Sequence, residues 1–163
     1  MLTLQRLQEL LSYEPITGKF TWLVQQGRRI SKGSIAGSIT NLGYCSIRID
    51  GRPYQAHRLA WLYMYGVWPT HFIDHIDGIR SNNKPDNLRE ATHTQNTHNT
   101  RKRVNNTSGF KGVTQIPNGK FVAKIGVNSR TQNLGTYATA ELASEAYQAS
   151  AKNLHGIYYR VMP

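Results

Sequence analysis

Two short strand-like segments, Phe72-Ile73 and Leu88 to Ala91, are separated by a polar, Asn-rich stretch over 77–87. The first run leads straight into Asp74-His75. The second is followed by Thr92, with Gln95 three residues on, the spacing of a helix capping box. The pattern predicts strand, loop, strand and helix, with the helix running to about Arg103. Such a unit can fold back on itself. Asp74 and His75 at the end of one strand, Asn87 before the next and Asn96 near the helix start would then meet in one crevice.

That set of side chains suits phosphodiester hydrolysis. Asp74 and Asn96 offer hard oxygen ligands, which favour Mg²⁺ or Mn²⁺ over a soft metal. Two protein ligands leave positions for water and phosphate oxygens. His75 need not bind the metal: it can take a proton from the attacking water near neutral pH. Asn87 can orient the imidazole or the backbone around it. Taken singly these residues mean little, since a lone Asp-His is far more often a surface pair. The ordered set on its frame carries the reading.

Upstream, Leu4, Leu7, Leu10 and Leu11 recur at helical spacing behind Thr3, a candidate cap. Pro15 and Thr17-Gly18 mark a turn, followed by a strand with Phe20 and Trp22 on one face. Residues 27–43 are rich in Gly and Ser and read as a loop whose Arg28, Arg29 and Lys32 can touch phosphate. Tyr44 to Ile49 and Arg52 to Ala56 flank Asp50-Gly51, a two-residue hairpin turn. A helix with Leu59, Leu62 and Tyr63 follows from Ala56 and ends at Gly66 and Pro69. The expected core includes Trp22, Leu59, Leu62, Phe72 and Leu88.

Charge points to a polyanionic partner. The 163 residues carry 20 Lys and Arg against 9 Asp and Glu, a formal net charge of +11. Residues 99–130 hold seven basic groups and no acid: Arg101, Lys102, Arg103, Lys111, Lys120, Lys124 and Arg130. A backbone-contacting linker or groove is expected there. The single cysteine, Cys45, excludes an internal disulfide and a thiolate zinc site. Met1 to Leu11 lacks the apolar core of a signal peptide, and no apolar run approaches a membrane span. The expected protein is soluble and intracellular.

After a polar linker at Asn105 to Gly109 come three strand-like pieces, Phe110 to Gln115, Phe121 to Val127 and Thr131 to Thr136, with Asn118-Gly119 in the first turn. An Ala- and Glu-rich helix from Ala140 to about Leu154 stops at Gly156. Alternation predicts an apolar face on the helix and a polar face bearing Lys111, Lys120, Lys124 and Arg130 with Gln115 and Gln132. The basic groups would grip phosphate, and glutamine can read an adenine edge.

Two resemblances sharpen these readings. His57-Arg58-Leu59-Ala60, Ile73-Asp74-His75-Ile76-Asp77-Gly78, Asn82-Asn83, Asn87-Leu88-Arg89 and Asn96, in that order, resemble the HNH homing endonucleases of phages and their introns. The resemblance implies a ββα-metal fold, His75 as general base, Asp74 and Asn96 on one divalent cation, and Asn87 as the central asparagine. The third position is Asn96, where many HNH enzymes have His. Gly109-Phe110-Lys111-Gly112-Val113, Gly119 to Ile125, Leu134-Gly135-Thr136-Tyr137 and the helix after Thr139 are similar to the Apetala/ethylene-response-factor DNA-binding domain over about 108–157.

The expected architecture is therefore α+β. N-terminal hairpins and a ββα-metal core (about 57–103) occupy residues 1–104. A three-stranded antiparallel sheet on one helix occupies 105–163. The expected activity is metal-dependent cutting or nicking of double-stranded DNA with one Mg²⁺ or Mn²⁺ per site. The resemblance implies a monomer or weak dimer in the cytoplasm of a phage-infected bacterial host. A DNA-binding regulator with an inactive nuclease fold is the alternative, and an RNA-directed protein is a third reading.

Overall fold

Thr3 opens the first helix as its sequence requires. Its hydroxyl accepts the Arg6 N–H at 3.2 Å, and α1 spans Leu4–Leu10. The computed structural model describes residues 1–98, 106–127 and 130–158. These form two compact units, Met1–His93 and Thr94–Pro163.

In the first unit, Leu11 leaves the helix and begins a strand, although its spacing predicts helix. The Leu11 backbone is extended (φ −136°, ψ 139°), and the residue is buried opposite Trp22 of the next strand. β1 (Leu11–Glu14) pairs antiparallel with β2 (Lys19–Trp22), and Phe20 and Trp22 point into the core. A second sheet has the order β3 (Ser38–Ile39), β4 (Cys45–Ile49), β5 (Arg52–Gln55). Its β4–β5 turn is Asp50-Gly51, both at positive φ (47° and 78°), the conformation a tight hairpin needs. Ile47 and Ile49 face inward and Arg48 outward, the alternation of a half-buried strand.

Gln55 leads directly into α2 (Ala56–Tyr65), which buries Ala56, His57, Leu59, Ala60 and Leu62. β6 (Phe72–His75) then pairs antiparallel with β7 (Leu88–Ala91), placing Asp74 opposite Arg89 and His75 opposite Leu88. The strand–loop–strand reading of the sequence matches these bounds closely. Of the expected core, Trp22, Leu59, Leu62 and Leu88 are buried, but Phe72 is 54% exposed. The strand's two-residue period explains the difference. Ile73 and His75 share one face, and Phe72 shares the other with Asp74.

Helix α3 (His93–His98) carries the boundary between the units. The second unit is a three-stranded antiparallel sheet, ordered β10 (Arg130–Tyr137), β9 (Phe121–Val127), β8 (Val113–Gln115), packed on α4 (Ala140–His155). β8 begins later than the sequence predicts. Phe110 to Gly112 turn instead, with the Val113 N–H on the Phe110 carbonyl. Thr139 caps α4 through the Leu142 N–H. Val113, Ala123 and Ile125 meet Ala143, Tyr147 and Ala151 in a separate small core. The architecture is thus α+β with small antiparallel sheets. No helix among the described residues is long and apolar enough to cross a membrane.

Leu59, wholly buried between the sheets and helices of the first unit, tests this packing. Leu59→Ala should cost about 2–5 kcal/mol in urea unfolding. A loss below that range would mean the site collapses around the missing atoms.

Candidate active site

The β6–β7 hairpin is short, and the loop that joins its strands is held by side chains. Asn87 is the centre of that loop's bonding. Its Oδ1 accepts the Asp77 N–H at 2.9 Å, and its Nδ2 donates to Asp77 Oδ1 at 2.9 Å and to the Asn82 carbonyl at 2.8 Å. Asp77 also accepts the Ile79 N–H at 2.7 Å and the Asn82 amide at 2.6 Å. Partial burial works to raise the Asp77 carboxyl, but the donors from Asn82, Ile79 and Asn87 outweigh it and hold the group below its ordinary range. Asn87 therefore acts on the backbone around His75, through Asp77 and through its own carbonyl, which accepts the Ile76 N–H.

Asp74 and His75 emerge on opposite faces of β6. Asp74 is 4% exposed, and its Oδ2 receives Arg89 Nε at 2.9 Å and Nη2 at 2.6 Å. The register that puts these two residues opposite each other makes the pair. His75 faces the core side. Burial lowers its pKa, against the opposing pull of Asn83, Asp77 and Asp74, so the neutral imidazole is favoured. Its Nε2 lies 3.4 Å from Asn83 Oδ1. Asn83, to which the sequence assigns no role, is the side-chain amide that meets the ring.

Other residues without a role in the sequence reading surround this histidine. The His57 ring stands edge-on to His75 at 5.1 Å, and Tyr44 lies 5.4 Å from His57 and 6.0 Å from His75. The exposed Arg80 stacks on Tyr44 at 4.9 Å and donates to the Leu42 carbonyl. His57 is 8% exposed, and its Nδ1 has no hydrogen-bond partner among the described residues. The signal for it was available: the apolar helix face of Ala56, Leu59 and Ala60 leaves His57 inside. On the other side of β6, Arg58, Thr70, His71, Phe72, Thr92 and His93 line a groove of about 390 Å³.

Asn96 is half-buried on α3, within the second unit, whereas Asp74, His75 and Asn87 belong to the first. Arg28 and Arg29 are exposed in the first unit. Arg101, Lys102 and Arg103 lie outside the described residues. In the second unit Lys120, Lys124, Arg130, Gln115 and Gln132 are exposed, and Lys111 is half-buried. The pairing register corrects their expected common face. Gln115 sits opposite Phe121 and Gln132 opposite Ile125, so both share the side of the sheet that packs on α4, as does Arg130 opposite Val127. Lys124 pairs with Asn133 on the reverse side. The polar residues on the helix side are exposed at the margins of the small core.

His57 makes the stability of the first unit pH-dependent. Burial, then the neighbouring His75 and Arg58, holds its imidazole down to about 3 from an ordinary 6.5. The unfolded chain binds the extra proton between those values. The stability is therefore full above pH 6.5 and drains as pH falls toward 3. Going from pH 7 to pH 5 should cost about 2 kcal/mol through this one group. In urea titrations at both pH values, His57→Leu should lose about that much less than the wild type. Equal losses would exclude His57 as the cause.

Residues 54–98 match the HNH endonuclease family. The chain is also 29% identical over 144 residues to the uncharacterised HNH endonuclease L560 of Acanthamoeba polyphaga mimivirus, across 87% of this chain. It spans 66% of that protein's length. Among solved structures, one describing DNA binding and cleavage by the HNH homing endonuclease I-HmuI is 20% identical, with a TM-score of 0.44 over 83% of this chain and 76% of that one. The segment that supplies His57, Asp74, His75, Asn83 and Asn87 thus lies wholly within the HNH endonuclease match.

Proposed function

We propose that this protein is a metal-dependent HNH endonuclease of the homing type that hydrolyses phosphodiester bonds of double-stranded DNA. One observation carries the reading. Within the matched segment, a buried carboxylate and a buried imidazole occupy consecutive positions at the end of one strand, Asp74 and His75.

His75 is the general base, taking the proton from the water that attacks phosphorus. Attack there leaves a 3′-hydroxyl and a 5′-phosphate. Asp77 and Asn87 hold the loop that fixes the ring's backbone. Asp74 and Asn96 would hold one Mg²⁺ or Mn²⁺. The donor set, a carboxylate and a carboxamide oxygen, fits a hard cation. Such an ion supplies Lewis-acid stabilisation of charge on the phosphate and the leaving oxygen. Arg89 offsets the Asp74 charge before any cation arrives.

Residues 1–104 form the cutting part in this reading. Residues 105–163 form an Apetala/ethylene-response-factor-like anchor that grips the duplex through Lys111, Lys120 and Lys124 and the stretch Arg101 to Arg103. Arg28 and Arg29 are a second phosphate contact. One site per chain predicts a nick for each binding event by a monomer or weak dimer.

Purified protein with supercoiled DNA and Mg²⁺ or Mn²⁺ tests the proposal. Open-circle or linear product should need both the metal and His75. His75→Ala should lower the rate about 10²–10⁴-fold with binding retained. Tight binding without metal-dependent cleavage across several DNAs would instead identify a regulator with an inactive nuclease fold. Changing Lys111, Lys120 and Lys124 together to Ala should flatten the salt dependence of binding, by roughly 0.9 in log–log slope for each phosphate that the protein no longer neutralises. An unchanged slope would remove the C-terminal sheet from the interface.

A further inference from the structure

A neutral imidazole carries its proton on one nitrogen only, and a base must present the other. Asn83 meets one of the two ring nitrogens of His75. The amide is 3% exposed, and its Nδ2 donates to the Ser81 carbonyl at 3.2 Å, which turns its oxygen toward His75 Nε2 at 3.4 Å. A carboxamide oxygen only accepts. Its contact with Nε2 is a hydrogen bond where that nitrogen carries the proton, and the lone pair then falls to Nδ1.

Asn83 is in turn held from behind by the β1–β2 hairpin, far upstream in sequence. The Tyr13 hydroxyl, itself buried, donates to the Asn83 carbonyl at 2.6 Å. Burial raises the Tyr13 pKa, so the phenol stays protonated and able to donate. Its ring is fixed against Phe20 at 4.8 Å and Tyr63 at 5.7 Å. Gly18, in the turn of the same hairpin, lies against the next peptide bond. A Cβ there would stand 2.6 Å from Lys84 N and 2.7 Å from the Asn83 carbonyl carbon, and its φ of +69° also favours glycine.

We propose that Asn83 is a positioning residue that fixes His75 as the Nε2–H tautomer with Nδ1 as the base atom, and that Tyr13 and Gly18 set the place of Asn83. The inference rests on the nuclease reading for its consequence, but the tautomer is observable without it. The hairpin is then part of the reaction apparatus, although it supplies neither the base nor a proposed metal ligand. A displaced Asn83 would leave the ring free to put hydrogen where the lone pair is needed.

The test uses the full chain labelled with ¹⁵N-histidine, without metal, in mildly alkaline buffer. Two-bond nitrogen–proton correlations report the tautomer of His75, whose signals are assigned by their loss in His75→Ala. The wild type and Asn83→Asp, which keeps an oxygen facing Nε2, should show the Nε2–H form. Asn83→Ala should show a mixture. Single-turnover cleavage should fall roughly 10–100-fold in Asn83→Ala at unchanged DNA affinity. It should recover in Asn83→Asp and fall to a smaller extent in Tyr13→Phe. An Nδ1–H tautomer in the wild type overturns the proposal, as does an Asn83→Ala protein that folds and keeps both tautomer and rate. Should Asn83→Ala fail to fold, the spectra and rates of Asn83→Asp and Tyr13→Phe still decide. A wild type that does not cleave DNA removes the nuclease reading, while its spectrum still judges the role of Asn83.

Discussion

The Asp77 carboxylate takes the place of a backbone ladder in the loop between His75 and Leu88. It gathers the Ile79 N–H and the amides of Asn82 and Asn87 around one charge. A two-stranded ladder of four residue pairs has little stability of its own. Charge-assisted hydrogen bonds are roughly twice as strong as neutral ones, so they supply the rigidity that regular structure does not. The backbone at the end of β6, and with it Asp74 and His75, depends on this one acid.

The strand then divides the chemistry between its two faces. Ile73 and His75 share the side that meets the apolar core, and the same desolvation that buries the isoleucine keeps the imidazole neutral. Asp74 takes the other side, where the pairing register supplies Arg89 to compensate its charge. Base and carboxylate are adjacent in sequence yet stand in environments of opposite character. The core that makes this possible has no cysteine crosslink behind it. It rests on Leu7, Leu11, Phe20, Ile47, Ile49, Leu59 and Leu62, drawn from two helices and three strands.

Much of this was legible in the sequence, because it depends on local rules. Thr3, the Asp50-Gly51 turn, the stop at Gly66, the strand at Leu88 to Ala91 and the Thr139 cap follow from residue type and spacing alone. Asp74 and His75 were legible as an ordered pair within a composite motif. Other features depend on which distant residue pairs with which, and spacing does not contain that. The placement of Gln115 and Gln132 is set by pairing with β9, and the exposure of Phe72 by the phase of a four-residue strand. Asn83 reads as one of several turn-forming asparagines until its two neighbours, His75 and Tyr13, are brought to it.

Gly18 is buried although it occupies a hairpin turn, a place where chains usually tolerate exchange. Its contact with the backbone after Asn83 ties two stretches of chain that recombination would treat as separable. A chimera that joined another protein's opening hairpin to residues 54–98 would inherit the acid, the base and their loop. It would lack the surface against which that loop is cast. The heritable unit of this fold is therefore larger than the segment the family match covers, and it includes the hairpin that carries Tyr13 and Gly18.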